Sequence, residues 1–276
     1  MSEHKPTIDD VKAYWERSPL LSHEIGDVSP EEHWRLLDEK KRSDIERFAE
    51  RYWSFPASRG RELLDIGCGP GWLTVTYAVA GANVSAIDLT QTAVDITRSV
   101  LAEKSLRASV EVASAECLPF ADATFDIVVS SGVLHHTPNV NKALAEAFRV
   151  TVPGGLGLIT LYRKGVLHRP MIFPLVRLVM RMMKAKHPGA DLGRTASSVD
   201  DFIRMYDGED NPVGIGYTSQ QWQKQLEQLG WVVESRESHY FPLRMVQALA
   251  SSPRWLHQFL DRVFGTMVYF TLRRPS

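Results

Sequence analysis

From Glu62 onward the sequence alternates short apolar runs with stretches of helical spacing. The runs are LLDI, NVSAI, SVEV, DIVVS and LGLITLY, and stretches such as TAVDITRSVLAEKSL and NKALAEAFRV separate several of them. Strands that alternate with helices favour a parallel sheet that is covered by helices on both faces. The sequence therefore predicts an α/β fold, with a VPGG turn at residues 152–155 just before the fifth strand.

The segment before these runs carries helix signals. In SPEEHW, Ser29 is a typical N-cap and is followed by proline, which predicts a helix that continues to about Tyr52. A shorter helix carrying VKAYWERSP is expected before it. We therefore divide the chain into an N-terminal helical cap, residues 1–58, and a main domain, residues 59–276.

The C-terminal part returns to the same order of strands and helices. Thr218 and Gln221 form a capping box, and Gly230 marks the end of the helix that they begin. WVVES is the next predicted strand, a last helix is expected at about residues 244–264, and GTMVYFTLRR is the terminal strand.

Composition limits the functional classes. The 276 residues carry a net charge of −1, which provides no general attraction to nucleic acid or to an anionic membrane. Cys68 and Cys117 lack CxxC spacing and indicate a reducing compartment. The N-terminus lacks the features of a secretory signal, and no uncharged run reaches the ~18 apolar residues that span a bilayer. We expect a cytoplasmic protein with no metal, nucleic acid or stable membrane insertion, and the sequence leaves a homo-oligomer open.

The stretch LLDIGCGPGW places Gly67, Gly69 and Gly71 after the first apolar run. Glycine permits a close approach of the backbone to a ligand, and the next helix directs free N–H groups at a bound anion. A purely structural turn is the alternative. Asp88 ends the second predicted strand, 23 residues after Asp65, where an acidic residue can accept both hydroxyls of a ribose. The GxGxG spacing differs from the dinucleotide fingerprint GxGxxG and argues against a nicotinamide dinucleotide.

Two further segments follow the third and fourth predicted strands, namely SAECLPF and FDIVVSSGVLHHTPN. The sequence resembles class I S-adenosylmethionine-dependent methyltransferases, in particular the ubiquinone/menaquinone-methyltransferase-like branch. The resemblance lies in the order and spacing of five stretches: LLDIGCGPGW, AIDLT, AECLPF, FDIVVSSGVLHH and VPGGLGLIT. The resemblance covers roughly residues 60–162. It implies a Rossmann-like, mostly parallel seven-stranded sheet with helices on both faces, and S-adenosylmethionine as the cofactor.

The resemblance also implies which residues bind the cofactor. The glycine loop would lie beside the methionine part, which Asp65 would help to position, while Asp88 would hold the ribose and Leu89 would pack beside the adenine. Relatives commonly carry aspartate where this chain has Ser114, and a serine accepts from the adenine amino group less strongly than a carboxylate. The expected set is Asp65, Gly67, Cys68, Gly69, Gly71, Asp88, Leu89, Ser114, Ala115, Glu116, Ser131 and Tyr14.

Methyl transfer requires a general base only where the protonated acceptor is a poor nucleophile. His135 and His136 are the candidate catalytic residues, because histidine titrates near neutral pH. The alternative is that the pair merely lines the cofactor pocket. Tyr14 and Trp15 either close the cleft over the cofactor or pack in a helix interface. Four other residues can face an acceptor, although each is expected to be structural: Tyr162, Tyr206, Asp207 and His239.

An insertion is expected after the fifth strand, at about residues 165–217. Residues 163–187 contain seven Lys or Arg and no Asp or Glu, and Arg177, Arg181 and Lys184 form one helical stripe among apolar residues. The insertion follows the carboxyl end of a strand, where open α/β folds bind ligands, and this favours a substrate lid. A packed helix with a solvated basic edge and an amphipathic helix on a membrane or partner are the alternatives.

Together these features predict methyl transfer from S-adenosylmethionine to O, N or C of a small, hydrophobic or aromatic molecule. Two alternatives stay open at this point. One is a methyltransferase that holds a nucleic acid or a protein through the basic insertion. The other is a protein that binds S-adenosylmethionine for different chemistry, such as a cyclisation, or for none.

Overall fold

The computed structural model describes residues 5–19, 28–46, 48–182, 195–240 and 253–276. A seven-stranded sheet forms its centre. The strands are β1 (Glu62–Ile66), β2 (Asn83–Asp88), β3 (Ser109–Val112), β4 (Phe125–Ser131), β5 (Thr151–Tyr162), β6 (Val232–His239) and β7 (Met267–Arg273). The helices are α1 (Ile8–Arg17), α2 (Pro30–Lys40), α3 (Ala49–Trp53), α4 (Trp72–Ala80), α5 (Gln91–Glu103), α6 (Val140–Val150), α7 (Phe173–Met182), α8 (Val199–Arg204), α9 (Ser219–Gln228) and α10 (Arg254–Phe264).

The strands lie in the order β3-β2-β1-β4-β5-β7-β6. The neighbouring pairs from β3 to β5 are parallel, whereas β7 is antiparallel to both β5 and β6. The predicted mostly parallel seven-stranded sheet is therefore confirmed. The strand order reverses between β1 and β4, and open α/β sheets bind ligands beyond the carboxyl ends of the strands at such a point.

Helices pack on both faces of the sheet. Leu64 of β1 belongs to a core cluster that includes residues of α6 and α9, and its neighbour Leu63 belongs to a second cluster that includes residues of α3 and α4. Successive residues of a strand point to opposite faces, so each β1 residue meets a different layer of helices. Both leucines are fully buried. This burial on both sides explains why the central strands read as continuous apolar runs.

The N-terminal region is more segmented than predicted. The Ser29 hydroxyl accepts from a backbone N–H of the first turn of α2, as expected for an N-cap. The prediction of one helix to about Tyr52 is wrong, because α2 ends at Lys40, a π-helical turn covers Lys41–Ile45, and α3 follows. The expected shorter helix before this region is α1.

A buried ion pair accounts for the break between α2 and α3. The Lys41 ammonium donates to Glu46 Oε1 at 2.8 Å, and Trp53 Nε1 donates to Glu46 Oε2 at 2.6 Å. Glu46 and Trp53 are almost fully buried, and Glu46 has left the helical conformation. The helical spacing of the sequence continues through this point, so the break comes from tertiary contacts and not from local propensity.

The VPGG turn lies inside β5 and not before it. The pairing register shifts there, because Phe125 pairs with Thr151 and Ile127 pairs with Leu156. Four residues of β5 are thus accommodated as an irregularity opposite one residue of β4. The expectation that β5 begins after this turn is corrected accordingly.

The insertion after β5 contains α7 and α8. Phe173 of α7 packs with Phe202 of α8 in a small cluster of its own, which also holds Ala196 and Met205. Of the predicted basic stripe, Lys184 lies outside the described residues, as does the side chain of Arg181. Residues 244–252 of the predicted last helix also lie outside them, and α10 is the described part.

None of the helices in the described ranges has the length and apolar character that crossing a membrane requires.

Candidate active site

The glycine loop connects β1 to α4 at the carboxyl edge of the sheet. The N–H groups of Gly67 and Cys68 both donate to the Ile87 carbonyl, at 2.8 and 2.9 Å, which attaches the loop to β2. Gly67 has φ +79°, and a Cβ at this position would lie 2.4 Å from both Val133 methyl carbons. The loop lines a cavity of about 2320 Å³, which exceeds the roughly 300–1,000 Å³ of ordinary small-molecule sites. The cavity can therefore hold two ligands.

Asp65 lies at the end of β1 and lines this cavity, although the structure buries it almost completely. The Thr74 hydroxyl donates to Asp65 Oδ2 at 2.7 Å. Burial raises the pKa of Asp65 to about 7, against the opposing effect of the hydrogen bond from Thr74. A carboxyl group that titrates near neutral pH beside a cavity is typical of a functional site.

Asp88 connects the end of β2 to the glycine loop. Its Oδ2 accepts from the Gly69 N–H at 2.9 Å, and its Oδ1 accepts from the backbone N–H and the hydroxyl of Thr90 at 2.9 and 2.8 Å. Burial raises the pKa of Asp88, while these hydrogen bonds oppose the shift. The carboxylate therefore orders the loop in addition to any contact that it makes with a ligand.

Most of the expected cofactor-binding residues lie around the same cavity. Those that line it are Asp65, Gly67, Cys68, Gly69, Asp88, Leu89, Ser114, Ala115, Ser131 and Tyr14. Gly71 and Glu116 are not among the lining residues. A Cβ on Gly71 would lie 2.9 Å from Thr97 Oγ1, so this glycine allows α5 to pack closely. Glu116 Oε1 accepts from the Asn139 N–H at 2.7 Å just before α6, so its carboxylate is used there, and the expected place of Glu116 in adenine recognition stays a prediction.

The two histidines of LHH occupy different environments. The ring of His135 is fully buried, and the backbone of Thr160 is the hydrogen-bonding group nearest to it. Burial, followed by the nearby His136, holds the pKa of His135 well below its usual range. His136 Nδ1 lies 2.7 Å from the Val213 carbonyl oxygen, and its Nε2 lies 3.1 Å from Asp207 Oδ2. The shorter contact of Nδ1 is to a carbonyl oxygen, which can only accept, so Nδ1 donates there; its second contact is with Asn211 Nδ2 at 3.3 Å. Nε2 faces the Asp207 carboxylate.

Asp207 is the centre of a hydrogen-bonded cluster. The Tyr162 hydroxyl donates to the Asp207 carboxylate, and the Tyr14 hydroxyl donates to the Asp207 backbone carbonyl. Burial raises the pKa of Tyr14 to about 12, so this hydroxyl stays a donor at neutral pH. The sequence suggested a structural role for Tyr162 and Asp207, whereas the structure places both beside His136.

Helix α1 covers this cluster. The Trp15 ring lies 5.1 Å from the His136 ring, centroid to centroid, in an edge-to-face arrangement, and Trp15 lines the cavity. In the next residue, Glu16, Oε1 accepts from the Thr92 hydroxyl at 3.0 Å, which attaches α1 to α5. The helix thus contacts both the loop side and the insertion side of the cavity.

The insertion contributes a further part of the cavity wall. Ile172, Leu175 and Val176 line it from α7 and the turn before it. His168 is a neutral side chain, because burial lowers its pKa to about 4 and the charges of Lys164 and Arg163 act in the same direction. His168 Nδ1 accepts from the Gly165 N–H at 3.0 Å, and its Nε2 lies 2.7 Å from the Tyr206 hydroxyl.

His239 lies in a different part of the cavity wall from the His136 cluster. Its ring stacks on Phe48 at 3.7 Å, and its Nε2 lies 3.1 Å from Glu237 Oε2. Over the residues that the structure describes, no group of three or more His, Cys, Asp or Glu side chains is placed to hold a metal ion.

Comparison with known families identifies the central segment. Residues 64–159 match a family model described as a methyltransferase domain. A malonyl-[acyl-carrier protein] O-methyltransferase from Erwinia billingiae is 33% identical over 112 residues, which are 40% of this chain and 42% of that protein. A ubiquinone biosynthesis O-methyltransferase from Azoarcus sp. is 36% identical over 97 residues, which are 35% of this chain and 42% of that protein. The chain thus spans less than half the length of these relatives.

Solved structures share the fold over more of the chain. The [4+2]-cyclase SpnF has a TM-score of 0.58 at 19% sequence identity, and the match covers 98% of this chain and 97% of that one. An S-adenosylmethionine-dependent methyltransferase from Mesorhizobium loti has a TM-score of 0.52 at 18% identity, over 81% of this chain and 97% of that one. At these identities the likeness shows a common fold.

Proposed function

We propose that this chain transfers a methyl group from S-adenosylmethionine to a hydroxyl group of a small, largely hydrophobic or aromatic molecule. The match of residues 64–159 to a methyltransferase domain supports this reaction. The relatives named as O-methyltransferases support oxygen as the acceptor atom. The apolar wall that α7 contributes to the cavity supports a hydrophobic acceptor. A cytoplasmic location, a separate helical cap at residues 1–58 and a homo-oligomer stay predictions.

The residues around the glycine loop fit the cofactor chemically. Asp65 offers a carboxylate to the ammonium group of the methionine part. Asp88 already accepts three hydrogen bonds, from Gly69 and twice from Thr90, which leaves about one lone pair, on Oδ2, for a ribose hydroxyl. A Cβ on Gly69 would meet no atom within 4 Å, so the backbone there is open to the cavity. Ser114 supplies a hydroxyl on the adenine side. The bound cofactor would supply a methyl group that its positive sulfonium activates for in-line displacement.

We assign proton removal to the pair of His136 and Asp207. The Asp207 side chain is 28% exposed and that of His136 is 5% exposed, so an acceptor reaches the pair through Asp207. When the O–CH₃ bond forms, the methyl–sulfur bond of the cofactor would break, and the electron pair would stay on sulfur as a neutral thioether. The O–H bond of the acceptor would break at the same time, and its proton would pass through the Asp207 carboxylate to His136 Nε2, 3.1 Å away. Tyr162 and Tyr14 hold Asp207 in place through its carboxylate and its carbonyl.

His135 is not assigned a base role. Its ring is fully buried, and its lowered pKa makes it a weak base. It packs against Tyr162, with ring centroids 3.8 Å apart, and in this position it supports the residue that orients Asp207.

The contact between His136 and Asp207 carries the proposal, and substitution of either residue tests it. We expect His136→Asn and Asp207→Asn each to lower turnover by about 10²–10⁴, the usual contribution of general base catalysis, while the affinity for S-adenosylmethionine changes less than twofold. His168→Asn is the matched control, because His168 lines the same cavity but is held neutral beside Tyr206. Mass spectrometry of a panel of hydroxylated acceptors measures product, and calorimetry measures cofactor binding.

Two results would contradict the proposal at different levels. Turnover in His136→Asn equal to that of the wild-type chain would reject the base assignment but not the reaction. Tight binding of S-adenosylmethionine with no methylated product from any acceptor would reject methyl transfer, and would favour a protein that uses the site for other chemistry. Acceptor binding that weakens steeply with salt would favour a macromolecular, anionic substrate.

A further inference from the structure

A group of cationic and hydrogen-bond donor side chains lies in the cavity outside the His136 cluster. Arg163 follows β5 directly, Arg236 lies on β6, and Ser219 and Gln220 form the first turn of α9. All four line the cavity. They come from three separate segments, and the contacts between these segments place them together.

Backbone contacts place Arg163 beside the start of α9. Arg163 forms a parallel bridge with Tyr217, and the Lys164 N–H donates to the Tyr217 carbonyl at 2.8 Å. Tyr217 is the residue before Thr218, the N-cap of α9. The Arg163 main chain is therefore adjacent to the segment that leads into the helix.

Arg236 approaches the same helix from β6. Its Nη1 donates to Gln223 Oε1 of α9 at 2.7 Å. The pKa of the Arg163 guanidinium is lowered by burial and then by the positive charge of Arg236, as expected for two cations that face one another.

Neutral groups, and not carboxylates, hold these two guanidiniums. Arg163 Nη1 donates to the Gly265 carbonyl at 2.9 Å, and Arg236 donates to the Gln223 amide. Within the described ranges, no carboxylate lies within 4.0 Å of either guanidinium. The neighbouring acids pair with other cations, since Asp200 pairs with Lys164, and Glu237 pairs with Arg51 and His239.

The first turn of α9 adds donors that have no acceptor. Thr218 satisfies the Gln221 N–H with its hydroxyl at 3.2 Å and the Trp222 N–H with its carbonyl at 3.0 Å. The N–H groups of Ser219 and Gln220 have no acceptor in the part of the chain that the structure describes. The Ser219 hydroxyl is buried there and also has no partner. Free N–H groups at the positive end of a ten-residue helix attract an anion.

We propose that Arg163, Arg236 and the first turn of α9 form an oxyanion subsite, which holds a carboxylate or phosphate group of the methyl acceptor. The statement that this subsite recognises the methyl acceptor rests on the proposed function. The subsite flanks the end of β5, since Arg163 is adjacent in sequence to Tyr162, which hydrogen-bonds Asp207. The acceptor thus has an apolar body, a hydroxyl group at Asp207 and an oxyanion at α9.

Inorganic phosphate and acetate are the probes for this subsite. A ligand that binds the folded chain raises its stability in proportion to ln(1 + [L]/Kd), so urea unfolding measures binding that is too weak for calorimetry. Each sodium salt is compared with sodium chloride at equal ionic strength, with S-adenosylmethionine present throughout. We expect phosphate, acetate or both to stabilise the chain beyond chloride, and the stronger of the two identifies the group. Stabilisation by neither would overturn the subsite.

Arg236→Met removes one guanidinium from an exposed position, so the fold is retained. We expect the dissociation constant of the stronger probe to rise at least tenfold, because hydrogen bonds to charged groups are among the stronger ones. Arg107→Met is the matched control, since Arg107 is another exposed arginine and does not line this cavity. An equal loss in both variants, or no loss in Arg236→Met, would contradict the proposal.

Ser219→Glu distinguishes an anion-binding role of Ser219 from a purely structural one. An acidic residue in the first turn of a helix is favourable, so unfolding in chloride should be unchanged or slightly harder. The new carboxylate occupies the subsite, and we expect the stabilisation by phosphate or acetate to disappear. A less stable chain that still binds the probe would show that Ser219 is structural and would overturn the assignment.

The same samples distinguish this inference from the proposed function. If S-adenosylmethionine binds and acceptors are methylated but neither anion binds, the subsite is wrong and the methyltransferase stands. If an anion binds in the manner expected but no acceptor is methylated, the assignment of the subsite to a methyl acceptor is contradicted along with the reaction.

Discussion

Replacing Asp65 with asparagine tests whether its buried carboxyl group destabilises the folded chain at neutral pH. Burial raises the pKa of Asp65 from 3.8 to about 7. At a pH below the pKa of Asp65 in the unfolded chain, the carboxyl group is protonated in both the folded and the unfolded state. It then does not change the free energy of unfolding. As the pH rises, the unfolded chain ionises first, so the free energy of unfolding falls until the pH passes the folded value. About 3 pKa units correspond to about 4 kcal/mol, since one unit is about 1.36 kcal/mol.

Urea unfolding, followed by tryptophan fluorescence between pH 4 and pH 8, measures this effect. Asparagine keeps an oxygen that can accept from Thr74 but cannot ionise. We expect Asp65→Asn to be close to wild type in stability at pH 4 and more stable by about 4 kcal/mol at pH 8. The pKa of Asp88 is also raised by burial, and the charge of Asp88 contributes to the raised pKa of Asp65. The difference between the two chains therefore measures Asp65 together with its interaction with Asp88.

A constant difference in stability across this pH range would refute the reasoning, because it would mean that Asp65 does not titrate differently in the two states. The cofactor provides an independent measurement. Asp65→Asn removes the charge that we assign to the ammonium group of S-adenosylmethionine, so we expect at least tenfold weaker binding at pH 8. A variant that is more stable yet binds less cofactor would show that the carboxylate is retained for binding at the expense of stability.

Three other substitutions follow from the structure. Gly67→Ala should prevent cofactor binding, and it should destabilise the chain by more than the ~1–2 kcal/mol that a left-handed backbone costs, because the new Cβ meets Val133. Adding Val133→Ala should relieve this contact, so that urea unfolding measures roughly the backbone cost alone. Lys41→Met should cost about 3–5 kcal/mol by leaving Glu46 buried and unpaired, and Glu46→Gln in the same chain should recover most of it. Asp88→Ala should weaken S-adenosylmethionine binding by at least ~1.5–3 kcal/mol in calorimetry, and unchanged affinity would rule out the ribose contact.

The fold was predictable where local signals and burial agree. Each central strand is buried on both faces, so it appears in the sequence as an apolar run of the right length. Thr218 and Gln221 form the expected capping box because that motif depends on four consecutive residues. The break after Lys40 was not predictable, because it depends on a buried contact of Glu46 with Trp53 that helical spacing does not encode.

The glycine-loop side and the Asp207 side of the candidate site likewise differ in how well the sequence predicts them. The glycine loop and Asp88 belong to a local strand–loop–helix motif, and the structure brings them together around one cavity. Glu116 lies in a similar motif, but its carboxylate accepts from the backbone N–H of Asn139, which is itself the N-cap of α6. The contact of Asp207 with His136 joins residues that are far apart in the sequence, and no pattern in either segment predicts it.

The segment that matches the methyltransferase family model therefore contains most of the glycine-loop side of the site but little of the Asp207 side. Residues 64–159 contain the glycine loop, Asp88 and His136, which line the side of the cavity where we propose that the cofactor binds. Asp207 and both arginines of the oxyanion subsite lie outside that segment, in the insertion and in the strands that border it. Relatives that share only the matched segment can share the methyl donor and still differ in acceptor. The acceptor must therefore be sought with probes of the insertion side of the cavity, and the charge that it carries is the first property to measure.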